Sequence, residues 1–246
     1  MSYVRLSTTL LAGIAIISLG VSLGATDSYA KERTAKWQSS GGHSGTTHVA
    51  KERKTEGGGW TKNRDTTYEN GKSSSSYKDV SKTDSGWNSN TTRTGVNGNT
   101  STMNKDVTKT DTGYAVTGTH TGANGNTQTY TKDITKTESG VSTTGSYQTS
   151  GGKSGSFEST GTKTEDGYTK SGTYQTDAGK SGSYNKSLTR TEDGYTSSGS
   201  VTNQDGETAT KNSTTTYGDG AFSKETTATG FKGKSRNWGV TGTYNQ

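Results

Sequence analysis

Residues 167–193 read GYTKSGTYQTDAGKSGSYNKSLTRTED, and the rest of the chain is a set of variations on this stretch. Glycines recur at 71, 98, 125, 152, 179, 206 and 233, always 27 residues apart, each closing a turn-like group such as Glu69-Asn70-Gly71 or Asp177-Ala178-Gly179. A second series at 59, 86, 113, 140, 167, 194 and 220 keeps nearly the same beat, mostly followed by Trp or Tyr. A fixed period of this length marks a repeat architecture. Asn-Gly and Asp-Gly between alternating runs are strong hairpin signals.

The flanking residues choose the loop length. With Asp177-Ala178-Gly179 as a three-residue loop, Gly172 faces Tyr184, Tyr174 faces Gly182 and Tyr168 faces Leu188. The same register sets Gly145 against Phe157, Tyr147 against Gly155, Gly118 against Tyr130, Trp60 against Val80, Trp87 against Val107 and Tyr114 against Ile134. A ring laid over a strand glycine covers bare backbone, and aromatic–aliphatic pairs stabilise a sheet by roughly 0.2–1 kcal/mol each. A two-residue loop would put these partners on opposite faces. One face of each hairpin then carries rings, aliphatics, glycines and lysines. The other is almost wholly Ser and Thr.

The expected fold is all-β: tandem 27-residue hairpins in an extended antiparallel meander, with a β-solenoid as the alternative. Residues 59–246 hold seven copies. A long connection between hairpins, from Thr189 to Gly194, would place Tyr184 opposite Gly199 and Leu188 opposite Tyr195 and keep the sheet unstaggered. Residues 31–58 read as a degenerate first copy or a mobile N-terminal tail, since Trp37-Gln-Ser-Ser-Gly-Gly resembles Tyr147-Gln-Thr-Ser-Gly-Gly. Residues 1–30 read as a signal peptide: Arg5, an apolar run from Leu10 to Leu23, then Ser28-Tyr29-Ala30 as a cleavage site. The expected location is therefore extracellular or at the cell surface, by Sec-type export. The chain has no Cys, so it has neither disulfides nor a lipid-bearing cysteine. That fits a bacterial exported protein.

The hydrophobic fraction is 22% and net charge is +6. Such a composition builds no ordinary globular core, and stability must come from neighbouring hairpins, as in repeat arrays. Lysine and arginine recur at 82, 109, 136, 163 and 190, with acids beside them at 84, 111, 138, 165 and 192. A catalytic site needs a nucleophile with its base, or paired acids in a pocket; neither pattern is present, so no enzyme activity, cofactor or metal site is expected. His43 and His48 stand close together in the degenerate copy, a spacing too weak to mark a metal site; His120 stands where Tyr147 and Tyr174 stand and reads as a sheet residue, and the Asn-Gly and Asp-Gly groups read as turns.

The T-G-x-N-G-N-T runs at 94–100 and 117–127 resemble hairpin repeats of exported proteobacterial proteins, over residues 59–246. The repeats are also similar to those of curli-type functional amyloids in length, polarity and glycine content. The resemblance to the exported repeat proteins implies no catalytic activity.

The function expected is a structural or adhesive protein of the cell surface or extracellular matrix, acting through self-association or surface contact. Its partners would be itself, as oligomer or fibre, or an extracellular polysaccharide or anionic surface. No nucleic acid and no membrane span is expected. The candidate contact face comprises Trp60, Trp87, Tyr114, Tyr130, Tyr147, Phe157, Tyr168, Tyr174, Tyr184 and Tyr195, set in two exposed rows. The alternative is an ice- or glycan-binding module using the hydroxyl face: Thr169, Ser171, Thr173, Ser181 and Ser183.

Overall fold

The computed structural model describes residues 31–244; the signal segment expected at 1–30 lies outside them. Every described element is a strand: β1 (Lys31–Ser39), β2 (Ser44–Arg53), β3 (Gly59–Tyr68), β4 (Ser73–Thr83), β5 (Gly86–Thr94), β6 (Thr100–Lys109), β7 (Gly113–Thr121), β8 (Thr127–Lys136), β9 (Gly140–Thr149), β10 (Ser154–Lys163), β11 (Gly167–Thr176), β12 (Ser181–Thr191), β13 (Gly194–Asn203), β14 (Thr208–Gly218), β15 (Ala221–Thr229) and β16 (Ser235–Tyr244). Residues 31–53 thus form a hairpin of their own, ahead of the seven hairpins β3–β16.

Inside each hairpin the register follows the ring–glycine rule. Gly172 faces Tyr184, Tyr174 faces Gly182 and Tyr168 faces Leu188. Gly145 faces Phe157 and Tyr147 faces Gly155; Gly118 faces Tyr130. The turn explains this register. Gly179 sits at φ 77°, and its N–H bonds back to Thr176 O at 2.9 Å while Thr176 N–H bonds to Lys180 O at 2.8 Å. That is a three-residue loop with glycine in the left-handed position.

Between hairpins the structure departs from the expected meander. Tyr184 faces Val201 rather than Gly199, and Arg190 rather than Leu188 faces Tyr195. The cause is a tight turn: Thr191 pairs with Gly194, leaving only Glu192-Asp193 in the loop. The line of partners therefore slips along the wall. It runs from Lys78 to Thr91 and on to Met103, two residues short of Lys105, which takes the place of Lys78 in the next copy.

This stagger converts the meander into a barrel. Closing a sheet requires tilted strands, and a shear of roughly one residue per strand corresponds to a tilt of about 35–45°. An unstaggered sheet would stay open; here β16 returns to pair with β1 and the sheet closes. Every strand pair is antiparallel, which excludes the stacked solenoid for the described residues.

The ring–glycine contact carries a stability prediction. A Cβ on Gly172 would lie 2.7 Å from the Tyr184 ring and 2.7 Å from Ser159 Cβ, and would also strike the backbone oxygen of Glu158. Gly172→Val is expected to destabilise the barrel by about 1–3 kcal/mol, the usual range for overpacking, despite valine's better strand propensity. Denaturant unfolding measures it; an unchanged or raised midpoint would refute the ring–glycine pairing.

Candidate functional site: a cationic, aromatic lumen

Side chains converge on the concave side of a closed wall and diverge on the convex side, so crowding identifies the lumen. The side chains with least exposure among the described residues are Val107, Val116, Tyr184, Thr47, Thr66, Thr143, Ser159, Ser213, Thr215 and Thr226. The registers put every one of them on the face shared with the rings and lysines. The Lys132 ammonium on β8 is lowered in part by the charge of Lys170 on β11, although three strand spacings of about 4.8 Å separate their backbones. We therefore assign the ring–lysine face to the lumen and the Ser/Thr face to the outside.

This corrects the expected exposure of the aromatic rows. Trp60, Trp87, Tyr114, Tyr130, Tyr147, Phe157, Tyr168, Tyr174 and Tyr195 are half-buried, and Tyr184 is 8% exposed. Tyr130 lies directly opposite Tyr147, and Phe157 opposite Tyr174. Each such pair has a glycine on both flanks: Gly118 and Gly155 for the first, Gly145 and Gly182 for the second. In the other row Trp87 meets Tyr114 edge-on at 5.5 Å, while Tyr195 meets Tyr217 at 6.3 Å. On the outside, Thr169, Ser171, Thr173 and Ser181 are exposed and Ser183 is half-buried. Neighbouring hydroxyls there bond across strands, as at Ser187–Ser198, 2.7 Å, and Thr131–Ser146, 3.0 Å.

Charge is sorted by face. Within the strands the acids Glu32, Glu52, Asp65, Asp79, Asp106, Asp133, Glu158 and Glu225 all fall on the outward face. The strand bases fall on the lumen face, Lys36 being the exception among the described residues. The signal for this was legible: Lys51, Lys78, Lys105, Lys132 and Lys186 keep the 27-residue beat on the parity of the rings. The lysines and arginine singled out from sequence, Lys82, Lys109, Lys136, Lys163 and Arg190, lie at one rim beside the acid-bearing turns and are exposed.

With no carboxylate on their face, the lumen lysines use rings as partners. Trp60 is flanked by Lys51 at 4.7 Å and Lys78 at 5.2 Å. Lys132 lies 5.2 Å from the Tyr130 ring and 5.8 Å from Phe157; Lys170 lies 5.9 Å from Tyr184. A cation over a ring stabilises by about 0.5–2 kcal/mol, less than a carboxylate and with no neutralisation of charge. Burial, then repulsion from Lys105 and Lys170, lowers the Lys132 ammonium to about 8. Burial and a lysine neighbour also lower Lys105 and Lys170. The buried Tyr130 Oη, Ser159 Oγ and Thr215 Oγ1 lie on the same face and have no hydrogen-bond partner among the described residues.

Of the three histidines only His120, on β7 in step with Tyr114 and Gly118, shares the lumen face. His48 Nδ1 shares a hydrogen bond with Thr34 on the outward face, and His43 lies in the β1–β2 turn. Groups of three or more His, Cys, Asp or Glu suited to a metal do not occur among the described residues. Fold and site together define a sixteen-stranded hairpin-repeat barrel with a basic, aromatic interior. No family model, no curated protein and no solved structure matches the chain.

The lowered ammonium makes a signed prediction. Between about pH 8 and 10.5 the unfolded chain holds the Lys132 proton and the barrel does not, so stability rises with pH across that window. Lys132→Met should stabilise the barrel at pH 7 and flatten this rise; melting curves at pH 7 and 9.5 decide it, and a wild-type barrel no more stable at the higher pH would refute it.

Proposed function

We propose that this is an exported, non-enzymatic contact protein of the cell surface or matrix, and that its working face is the lumen, which takes segments of an acidic polysaccharide. The single observation that carries the reading is the sorting of charge: bases and rings inward, strand acids outward. A polyanion would supply the counter-charge that the wall withholds. Carboxylate or sulfate groups would pair with Lys105, Lys132 and Lys170, and sugar faces would stack on Tyr130, Phe157 and Tyr184. The export signal read in residues 1–30 points to a polymer outside the cell. The outward face supports a barrel standing in water, since it carries Ser, Thr and acids where a membrane-spanning barrel carries an apolar band. Barrels of about sixteen strands are wide enough to leave an aqueous channel.

A second reading rests on a specific observation, the cross-strand hydroxyl ladders on the outside, which suit neutral glycans. The closed wall curves that face, so it offers no flat plane to ice.

The test is binding of a polyuronate and of a neutral glucan at low and high salt. The expected result is polyuronate binding that weakens with salt, because exposed charge interactions are screened beyond a Debye length of about 10 Å at 0.1 M. Replacing Lys105, Lys132 and Lys170 together by Gln should weaken it by roughly tenfold or more, about 1.4 kcal/mol. Changing Thr169, Ser171 and Thr173 to Ala should leave it unchanged. Equal polyuronate binding by a folded lysine variant would overturn the lumen reading; loss in the hydroxyl variant would transfer the role to the outside.

A further inference from the structure

Among the described residues the barrel closes at its shortest ladder: β1 and β16 pair over five residues, Ala35–Ser39 against Val240–Tyr244. The junction between β14 and β15 pairs nine residues, Thr210–Gly218 against Ala221–Thr229. Beyond the five pairs, Ser40 and Gly239 exchange two further bonds of 3.0 Å. On the seam side, Lys31–Thr34 of β1 and Ser235–Trp238 of β16 have no ladder partner among the described residues.

The shortfall comes from register. At the β14–β15 junction Tyr217 faces Phe222. One repeat on, Tyr217 corresponds to Tyr244. Counted back from the turn glycines, Phe222 stands before Gly233 as Lys31 stands before Gly42. The repeat's own register would therefore set Tyr244 opposite Lys31, Trp238 opposite Trp37 and Asn237 opposite Gln38. In the closed seam Tyr244 instead faces Ala35, and Gln38 faces Thr241. The slip is even, so inward side chains stay inward in both registers. The repeat register would pair the whole of β1 with β16, as at the other junctions.

We propose that the seam is also an assembly site for a second copy of this chain, with β16 of one molecule pairing with β1 of the next in the repeat register. When copies joined this way close into a ring, each five-pair seam is replaced by a nine-pair junction, and the ring gains the ladder pairs that the single-chain seams forgo. An unpaired strand edge is a template for such addition, and a head-to-tail contact of this kind builds rings or filaments. Lys234 and Arg236 beside the edge oppose this pairing by charge, so salt should favour assembly. The inference is independent of what the lumen binds.

The chain has no native Cys, so crosslinking reports the register directly. In the full chain, a Gln38→Cys/Thr241→Cys pair matches the closed seam and should lock the monomer on oxidation. A Gln38→Cys/Asn237→Cys pair is four residues out of step there, about 13 Å along a strand, too far for a disulfide within one barrel. Between copies in the repeat register it is directly opposed. Expected are a ladder of covalent multimers from the Gln38/Asn237 pair, and concentration-dependent growth of the wild type by light scattering. The oxidised Gln38/Thr241 variant should lose that growth and stay monomeric. Only monomer from the Gln38/Asn237 pair at every concentration would overturn the proposal, as would unchanged assembly by the seam-locked protein.

Discussion

A ring lying across a glycine of the neighbouring strand is the contact on which the rest of this structure depends. Tyr184 over Gly172 and Phe157 over Gly145 leave no room for a Cβ beneath them. Because the ring needs the bare backbone, it selects one partner residue and with it one register. Register fixes parity, and parity decides which side of the wall every other side chain occupies. The chain is too poor in aliphatic residues to specify its pairing by a packed core. A column of rings and glycines does so with very few apolar atoms.

The same contact explains why lysine can stand inside. A half-buried ring presents its face to the lumen, and an ammonium above that face recovers part of the solvation it loses. Lys132 between Tyr130 and Phe157 shows both the recovery and its limit. Desolvation and the neighbouring lysines still outweigh the rings, and the proton is held less tightly than in water. The wall is thus stable in hydrogen bonding yet under electrostatic load, which an anion in the lumen would relieve.

Closure rests on the short turns. Glu192-Asp193 and its equivalents take two residues where a longer loop would have kept the hairpins level. The slip they impose accumulates around the sheet as the tilt a barrel requires. It also explains the seam: β1 and β16 meet after a full circuit, where no local turn sets their offset, and among the described residues they share five pairs where β14 and β15 share nine.

The sequence by itself determined the hairpins, the left-handed glycine at each three-residue turn, the partner of each ring within a hairpin and the division into two faces. All of these are local: they need only residues a dozen positions apart and the alternation of a strand. It did not determine which face would be concave. Curvature of a sheet is a sum over all its strands, and a ring–lysine face reads the same whether the wall bends toward it or away. The aromatic rows from Trp60 to Tyr195 were legible as one surface and misplaced as an exposed one. Only the tertiary structure decided closure, the inward turn of that face and the meeting of the first strand with the last. Each depends on a two-residue stagger whose effect is small between neighbours and decisive only around the whole circuit.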